Sequence, residues 1–175
     1  MKVLGLAGWS GAGKTTLLAK LIPELIRRGI TVSTMKHAHH AFDVDTPGKD
    51  SYVHREAGAT EVLVSSTRRW ALMHELRGAA EPRLPELLAK MAKVDLVIVE
   101  GFKREQHRKI EVHRAANAKP LLFPDDPGIV GIATDTAIDS ALPTAHLDDV
   151  AAVAAMMQRA AISVEDVLAR SLSES

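Results

Sequence analysis

The sequence predicts an α/β fold, a three-layer sandwich in which helices cover both faces of a mainly parallel sheet. Apolar, β-branched runs alternate along the chain with stretches whose apolar residues recur at helical spacing. One run, at 94–99, is apolar except for Asp95, which is typical of an interior strand buried on both faces. Two further runs at 60–65 and 70–74, joined by a short polar link, predict additional antiparallel edge strands.

Residues 8–16 read G-W-S-G-A-G-K-T-T and complete the pattern G-x-x-x-x-G-K-[ST]. They lie between an apolar run at 2–7 and a helical pattern that begins at Leu17, which is the context a phosphate-binding loop (P-loop) requires. Glycines allow positive φ, so successive N–H groups can face one anion at the positive end of the helix. Lys14 is placed to reach the β- and γ-phosphates, and the Thr15 hydroxyl to bind Mg²⁺. The predicted nucleotide-binding residues of this loop are Gly8, Ser10, Gly11, Ala12, Gly13, Lys14, Thr15 and Thr16.

The other predicted elements continue the alternation of strands and helices. Helices are expected at 14–28, 50–57, 82–92 and 146–161. Strands are expected at 30–35, 60–65, 70–74, 94–99, 109–112, 121–123 and 129–133. No repeat or linker interrupts this pattern, so 1–175 is expected to be a single P-loop nucleotide-binding domain.

The composition argues against several classes of protein. Lys+Arg and Asp+Glu both number 22, so no net charge attracts nucleic acid or an anionic membrane, and aromatic residues, at 3%, are too few for a base-stacking platform. The absence of cysteine excludes thiolate metal sites and disulfides and suits a reducing compartment. No apolar stretch approaches the roughly 20 residues that span a bilayer, and no signal peptide precedes the first strand. We expect a cytoplasmic protein without nucleic-acid or membrane partners.

Glu100 follows the strand at 94–99 directly, in the sequence V-I-V-E-G-F. Ligands of open α/β sheets bind beyond the carboxyl ends of the strands, so Glu100 is placed to bind Mg²⁺ directly or through water. Because a glutamate stands in place of the usual aspartate, three interpretations of Glu100 stay open. It binds Mg²⁺ directly, it binds Mg²⁺ through water, or it is a solvated residue at the end of a strand. Gly101 allows the chain to turn beside a phosphate. Asp95, at the opposite end of the strand, is expected to be structural.

The segment at 36–51 leaves the same sheet edge as the P-loop and is rich in acidic residues. Asp45 and Asp50 are the predicted catalytic residues, because carboxylates there can position water or Mg²⁺ near a γ-phosphate. Lys49 is expected to bind a phosphate of the nucleotide or of a second substrate. The alternative is a solvated loop whose aspartates cap turns and helix starts.

A histidine cluster in the same segment suggests a metal site, since imidazole binds Zn, Ni and Cu. Its spacing matches no zinc finger and no thiolate accompanies it, so a loop that donates hydrogen bonds to phosphate or substrate is the preferred interpretation. Basic residues at 103–104 and 108–109 can attract an anionic ligand or form a solvated face. The cluster comprises His37, His39 and His40, with His54 downstream.

The residues alone do not separate GTP from ATP. No N-K-x-D guanine-reading pattern is present, and the segment at 117–120, N-A-K-P, is only a partial match. Asp135 follows a predicted strand at the favourable edge of the sheet and is a candidate acceptor for a base N–H.

Four motifs occur in order: G-W-S-G-A-G-K-T-T, M-K-H-A-H-H, D-T-P-G-K-D-S and V-I-V-E-G-F-K. Over residues 4–103 this combination resembles the MobB family, molybdopterin-guanine dinucleotide biosynthesis protein B. The first motif is common to all P-loop NTPases, whereas the order and spacing of the other three are much more specific. The resemblance implies a P-loop NTPase fold and a GTP-binding homodimer with weak GTPase activity. It also implies an adaptor acting beside the guanylyltransferase that joins GMP to molybdopterin, and with other molybdenum-cofactor proteins.

Slow hydrolysis agrees with the absence of an obvious base or arginine close to the P-loop in the sequence. Two other functions stay open: a small-molecule kinase, with an arginine lid from 68–69 or 104–108, and a metal-insertion GTPase that uses the histidine cluster. A homodimer is also expected from apolar, edge-like segments that can pair across a two-fold axis. These segments are Trp70, Leu72 and Met73, and the short strands around Ile110.

Overall fold

The computed structural model describes residues 1–38, 42–102 and 105–172, with the side chains of 171 and 172 excepted. The predictions for His39 and His40, and for the basic pair at 103–104, therefore lie outside the described residues. The chain divides into two compact units, one formed by Met1–His37 and Leu84–Ser175 and the other by Ala38–Arg83. The prediction of a single domain stays a prediction.

The strands and helices follow the predicted alternation. The strands are β1 Lys2–Ala7, β2 Val32–Lys36, β3 Glu61–Ser65, β4 Trp70–His74, β5 Leu96–Glu100, β6 Lys109–His113, β7 Ile129–Thr134, β8 Thr144–His146 and β9 Ile162–Ser163. The α-helices are α1 Lys14–Arg27, α2 Asp50–Glu56, α3 Leu84–Lys90, α4 Val150–Ala160 and α5 Val164–Leu172, and a 3₁₀ turn spans Ala115–Asn117.

The first unit contains a mainly parallel sheet in the order β2-β5-β1-β6-β7-β8. Each neighbouring pair along this order runs parallel, and β9 adds an antiparallel pairing to the first residues of β1. The prediction of an interior strand at 94–99 is confirmed, because β5 lies between β2 and β1. Strand β1 lies between β5 and β6, so both neighbours end beside the segment that follows β1.

Alternate residues of the interior strands point to opposite faces of the sheet and divide the apolar core in two. Leu4 and Ile98 pack on one face with the buried side of α1 and with α4, whereas Val3 and Val97 pack on the other with α3 and α5. The prediction of a three-layer sandwich with helices on both faces is therefore confirmed.

The second unit contains α2 and the antiparallel hairpin β3–β4. The two strands of the hairpin form a separate two-stranded sheet. Apolar side chains on this hairpin are exposed: the exposed fraction is 60% for Leu63 and 67% for Trp70. The predicted antiparallel strands at 60–65 and 70–74 are confirmed, but they form a sheet of their own and are not edge strands of the parallel sheet. The prediction that the segment around Ile110 is a second edge for pairing in a homodimer is wrong, because β6 lies between β1 and β7 and Ile110 is fully buried.

The predicted strand at 121–123 is wrong. These residues form a turn whose backbone is held by a side chain, since the carboxylate of Glu111 accepts hydrogen bonds from the N–H groups of Leu122 and Phe123 at 2.8 and 2.9 Å. Glu111 is fully buried on β6, and the two amides satisfy its carboxylate oxygens. A turn that satisfies a buried carboxylate therefore replaces strand pairing in this segment.

The helix predicted at 146–161 begins later, at Val150. Of the residues predicted as helix, His146 ends β8, which pairs with β7, and Asp149 caps the helix by accepting a hydrogen bond from the Ala152 N–H at 2.9 Å. The aspartate side chain offers the first free N–H groups of the helix an acceptor, so the helix starts there. Strand β9 and helix α5, which the sequence patterns did not predict, complete the first unit.

Candidate functional site

The P-loop has the backbone conformation that its glycines allow. Gly8, Gly11 and Gly13 have φ values of 142°, 83° and 91°, in a region that residues with a Cβ rarely adopt. A Cβ on Gly8 would also lie 2.5 Å from the carbonyl oxygen of Val112, so the first glycine is required both for its φ and for close packing against β6. The loop therefore turns tightly from β1 into α1.

The start of α1 is arranged to attract an anion. Gly13 is the N-cap residue and has no side-chain cap, and no acidic residue stands in the first turn of this fully described helix. The first N–H groups of a helix lack partners within the helix and carry the positive end of its dipole. Thr15 and Thr16, in the same turn, are exposed.

Lys14 extends back over the loop. Its Nζ donates hydrogen bonds to the carbonyl oxygens of Gly8 and Trp9 at 2.7 and 3.1 Å. The ammonium group therefore lies at the mouth of the loop, close to the helix N-terminus. Flexible glycines, an uncapped helix start and a lysine fit a phosphate group, as the sequence predicted, although the assignment of each residue to nucleotide binding stays a prediction.

Glu100 lies at the carboxyl end of β5, beside the end of β1, where Leu6 is its partner in register. Its side chain is partly buried, and its backbone carbonyl accepts a hydrogen bond from the His37 N–H at 2.8 Å. The carboxylate of Glu100 and the hydroxyl of Thr15 are the kinds of oxygen donor that Mg²⁺ prefers. The donor set fits Mg²⁺, and metal binding by these residues stays a prediction.

Gly101 has a φ of 97°, and a Cβ at this position would lie 2.6 Å from the Cβ of His37. The ring of His37 packs against the buried Phe102, with ring centroids 5.1 Å apart. These contacts provide a packing reason for glycine at 101 that is independent of any phosphate. Asp95 is confirmed as structural, because its carboxylate accepts hydrogen bonds from the N–H and hydroxyl of Thr31, which lower the pKa of the Asp95 carboxyl.

The segment after β6, residues 114–120, packs against the P-loop. The Asn117 side-chain amide donates a hydrogen bond to the Ser10 carbonyl at 3.0 Å, and the Trp9 indole donates one to the Pro120 carbonyl at 2.8 Å. The ammonium of Lys119 lies 6.0 Å from the centroid of the Trp9 ring. The partial match at 117–120 is therefore part of the site, although the sequence patterns indicated no contact there.

Arg114 lies beside Gly13. Its Nη2 is 3.4 Å from the position that a Cβ on Gly13 would occupy. Asp135, directly after β7, faces this arginine at 3.6 Å and accepts a hydrogen bond from the Ala115 N–H at 2.8 Å. No arginine stands close to the loop in the sequence, but the parallel strands bring residue 114 to the loop's edge of the sheet although it is remote in sequence.

The carboxylate of Asp135, the candidate base acceptor, is engaged within the protein. Its hydrogen bond from the Ala115 N–H is the largest of the effects that lower the pKa of the Asp135 carboxyl, and the charge of Arg114 adds to it. A carboxylate held in this way orders the start of the 114–120 segment. A role in base recognition stays a prediction.

The predicted residues Asp45, Lys49 and Asp50 belong to the second unit. The largely buried carboxylate of Asp45 accepts hydrogen bonds from the Thr46 N–H and the Ser51 hydroxyl at 2.9 and 2.8 Å. Lys49 and Asp50 are exposed, and Asp50 begins α2. The geometry of Asp45 is that of a residue that orders its own loop, while catalytic roles for Asp45 and Asp50 and phosphate binding by Lys49 stay predictions.

Arg55 is the centre of an ion-pair network in the second unit. Its guanidinium lies 2.7 Å from Asp43, 3.7 Å from Asp45 and 3.3 Å from Glu75. The pKa of the Asp43 carboxyl is lowered, first by a hydrogen bond from the Asp45 N–H and then by Arg55. This network fixes the acidic loop onto α2.

Among residues 1–38, 42–102 and 105–170, no three or more His, Asp or Glu side chains are grouped to hold a metal ion. No helix in the part of the chain that the structure describes has the length and apolarity to cross a bilayer.

A profile of the MobB family, described as molybdopterin guanine dinucleotide synthesis protein B, matches residues 3–135. The chain belongs to the MobB family. The matched range includes the P-loop, Glu100, Arg114 and Asp135. The resemblance seen in the four sequence motifs is therefore confirmed.

Bacterial relatives agree with this assignment. The chain is 44% identical over 155 residues to the molybdopterin-guanine dinucleotide biosynthesis adapter protein of Escherichia coli K12. The aligned region covers 87% of this chain and 89% of that protein. It is 47% identical over 137 residues to the adapter protein of the same name from Haemophilus influenzae. That aligned region covers 76% of this chain and 74% of the relative.

Solved structures of MobB proteins share the fold. A crystal structure of molybdopterin-guanine biosynthesis protein B superimposes with a TM-score of 0.72 at 24% identity, over 90% of this chain and 98% of that one. Bacillus subtilis MobB gives a TM-score of 0.69 at 22% identity, over 91% and 98% of the two chains. The predicted P-loop NTPase architecture is confirmed at the level of the fold.

Proposed function

We propose that this MobB chain binds GTP with Mg²⁺ at the P-loop and acts as an adaptor in the biosynthesis of molybdopterin-guanine dinucleotide. The main observation is the loop itself, in which three glycines of positive φ lead to an uncapped helix start with Lys14 folded over them. The names of the relatives, which are adapter proteins of this pathway, support the second part of the proposal.

In this proposal the amides of residues 8–16 and the Lys14 ammonium bind the β- and γ-phosphates. The Thr15 hydroxyl and the Glu100 carboxylate hold Mg²⁺, which neutralises phosphate charge when bound. Asp45, Asp50 and Lys49 act near the γ-phosphate, as the resemblance of their D-T-P-G-K-D-S segment to MobB implies.

We further propose that hydrolysis is slow without a partner. Without a partner, the carboxylate of Asp45 is held within its own loop, where it accepts hydrogen bonds from Thr46 and Ser51 and faces Arg55, so it is not available to orient an attacking water. A P-loop protein that lacks a well-placed water-orienting group hydrolyses its nucleotide slowly. The partner is the guanylyltransferase that joins GMP to molybdopterin.

Calorimetric titration with Mg²⁺ present tests nucleotide binding. We expect GTP to bind the wild type more tightly than ATP does, and Lys14→Ala to weaken GTP binding about ten- to hundredfold, as loss of a charge-assisted hydrogen bond predicts. Lys20→Ala is the matched control, because Lys20 lies on the same helix, is 52% exposed and pairs only weakly with Asp148 at 3.7 Å. Equal binding by wild type and Lys14→Ala, or no binding of GTP at millimolar concentration, contradicts the proposal.

Turnover measured with and without the guanylyltransferase tests the adaptor role. We expect slow GTP hydrolysis by the isolated chain, and a change in either protein's activity when the two are mixed. Fast hydrolysis by the isolated chain would identify an independent enzyme instead.

We also propose that the chain forms a homodimer through the hairpin β3–β4. Within the described residues each hairpin strand pairs on one edge only, and apolar side chains are exposed along it. The exposed fractions are 60% for Leu63, 45% for Val64, 67% for Trp70 and 47% for Leu72. A second copy of the chain can cover these side chains and pair with an open strand edge.

Sedimentation at micromolar concentration tests the dimer. We expect the wild type to sediment at twice the chain mass of 18.9 kDa, and Trp70→Glu to sediment as a monomer because a charge cannot be buried unpaired in an apolar interface. Ile26→Glu is the control, since Ile26 is 59% exposed on α1 and should not affect assembly. A monomeric wild type, or a dimeric Trp70→Glu protein, contradicts the assignment.

A further inference from the structure

We propose that Arg114 is a further nucleotide-binding residue, whose guanidinium contacts the phosphate chain at the P-loop and is positioned by Asp135. The proposal rests on the proposed binding of a nucleotide at residues 8–16 and adds a residue to that site. Nothing in the sequence motifs of the MobB resemblance includes Arg114, which follows β6 directly.

The position of the guanidinium is the first argument. Three of its atoms, Nη2, Nε and Cζ, lie 3.4, 3.5 and 4.0 Å from the point where a Cβ on Gly13 would stand. Gly13 is the N-cap residue of α1 and directly precedes Lys14, so this cation lies against the part of the loop whose amides face the anion. Arginine presents a planar set of N–H donors that matches phosphate oxygens bidentately.

The way Arg114 is held is the second argument. Asp135 accepts a short hydrogen bond from the Ala115 N–H and so fixes the backbone next to Arg114. The 3₁₀ turn Ala115–Asn117 follows, and its last residue binds the loop through the Ser10 carbonyl at 3.0 Å. The backbone that follows Arg114 is thus fixed against Asp135 and the loop, so that mainly the arginine side chain has to be ordered on binding.

The weak ion pair between Arg114 and Asp135 does not by itself explain why the guanidinium lies beside the P-loop. At 3.6 Å it is longer than a hydrogen bond, and the arginine side chain is 41% exposed, so the pair contributes little to stability. The N–H groups of Arg114 therefore retain the capacity to donate to a ligand. Arg114 lies at the same edge of the sheet as the P-loop and is near the Asp135 carboxylate without a close ion pair. This position suits an arginine that binds a phosphate.

Calorimetry of two ligands with Mg²⁺ tests the proposal: GTP, and inorganic tripolyphosphate, which has the phosphates without a base. We expect Arg114→Ala to raise the Kd of both ligands about ten- to hundredfold, in line with the loss of charge-assisted hydrogen bonds. Arg114→Lys should give a smaller increase, because lysine keeps the charge and loses the planar pair of donors. Asp135→Ala, which removes the acceptor of the Ala115 N–H, should raise both Kd values severalfold.

Arg27→Ala is the matched control, since Arg27 lies at the far end of α1 and is 72% exposed. It should leave both Kd values unchanged, and thermal unfolding shows whether each variant is folded. If Arg114→Ala weakens GTP but not tripolyphosphate, the residue contacts the base or ribose and the proposal is wrong.

Unchanged binding of both ligands by Arg114→Ala also overturns the proposal. If the wild type binds GTP and Lys14→Ala does not, while Arg114→Ala binds normally, only the role of Arg114 fails. If the wild type binds neither ligand, the proposed function fails together with it. Unchanged binding by Asp135→Ala removes the positioning role of Asp135.

Discussion

The indole of Trp9 donates a hydrogen bond of 2.8 Å to the carbonyl oxygen of Pro120, a residue 111 positions further along the chain. Trp9 is the second residue of the P-loop, and Pro120 ends the segment that packs against the loop. This bond fixes an aromatic ring inside the loop, where it is 38% exposed. The conformation of the loop therefore depends on a distant part of the sequence as well as on its own glycines.

Trp9 should report ligand binding by its fluorescence. In a Trp70→Phe variant it is the only tryptophan, since the chain has 2, and phosphate binding to neighbouring amides must alter its surroundings. We expect addition of GTP with Mg²⁺ to change the emission along a saturating curve whose midpoint equals the calorimetric Kd. Trp9→Phe should lose this signal and still bind GTP, although less tightly, because its bond to Pro120 is lost. Binding detected by calorimetry without any change in emission would show that the ligand occupies another place.

Glu111→Gln should destabilise the first unit. The carboxylate accepts hydrogen bonds from two N–H groups, whereas an amide offers one oxygen and one NH₂ group, so one buried donor would face another donor. We expect a loss of about 1–3 kcal/mol in the free energy of unfolding, measured with urea. Hydrogen exchange at Leu122 and Phe123 should also become faster.

Asp125→Asn is the control for this change, because Asp125 is exposed in the same turn. It should leave both the free energy of unfolding and the exchange rates close to those of the wild type. If Glu111→Gln is as stable as the Asp125→Asn protein, then the two hydrogen bonds do not hold the turn.

The P-loop and the layered core could be predicted because their determinants are local. The glycines, the lysine and the threonines of the motif all stand within 8–16, and the alternation of Val3 and Leu4 between the two faces of β1 is a property of any strand. Gly29 is a further local case, because its positive φ of 78° at the end of α1 favours glycine.

The contribution of residues 114–120 could not be predicted in this way. Arg114 meets Gly13 only because β6 pairs with β1 in parallel register, and that register depends on packing across the whole sheet. The false strand at 121–123 has a similar cause, since L-L-F is apolar enough for a strand and only the buried carboxylate of Glu111 makes it a turn. The sequence did contain a signal for Arg114, because polar residues that directly follow a strand of a parallel sheet lie at the ligand-binding edge.

The buried imidazole of His107 should make the stability of the protein depend on pH. The ring is 1% exposed, and burial, aided by the charge of Lys109, lowers its pKa from 6.5 to about 4, although Glu105 and Asp126 act in the opposite direction. Above pH 6.5 the imidazole is neutral in both states and contributes no pH dependence. As the pH falls from about 6.5 to about 4, the unfolded chain takes up a proton that the folded chain does not, so stability decreases.

The size of this loss follows from the pKa difference. A shift of one pKa unit corresponds to about 1.4 kcal/mol, so the loss approaches about 3 kcal/mol by pH 4. Urea unfolding of the wild type at pH 7.5, 6, 5 and 4 measures the slope. His107→Gln removes the titrating group, so its free energy of unfolding should decrease less over this range, even if it is lower at pH 7.5. His146→Gln, which removes an exposed histidine, should keep the slope of the wild type, and equal slopes for all three proteins would mean that His107 is not buried in its neutral form.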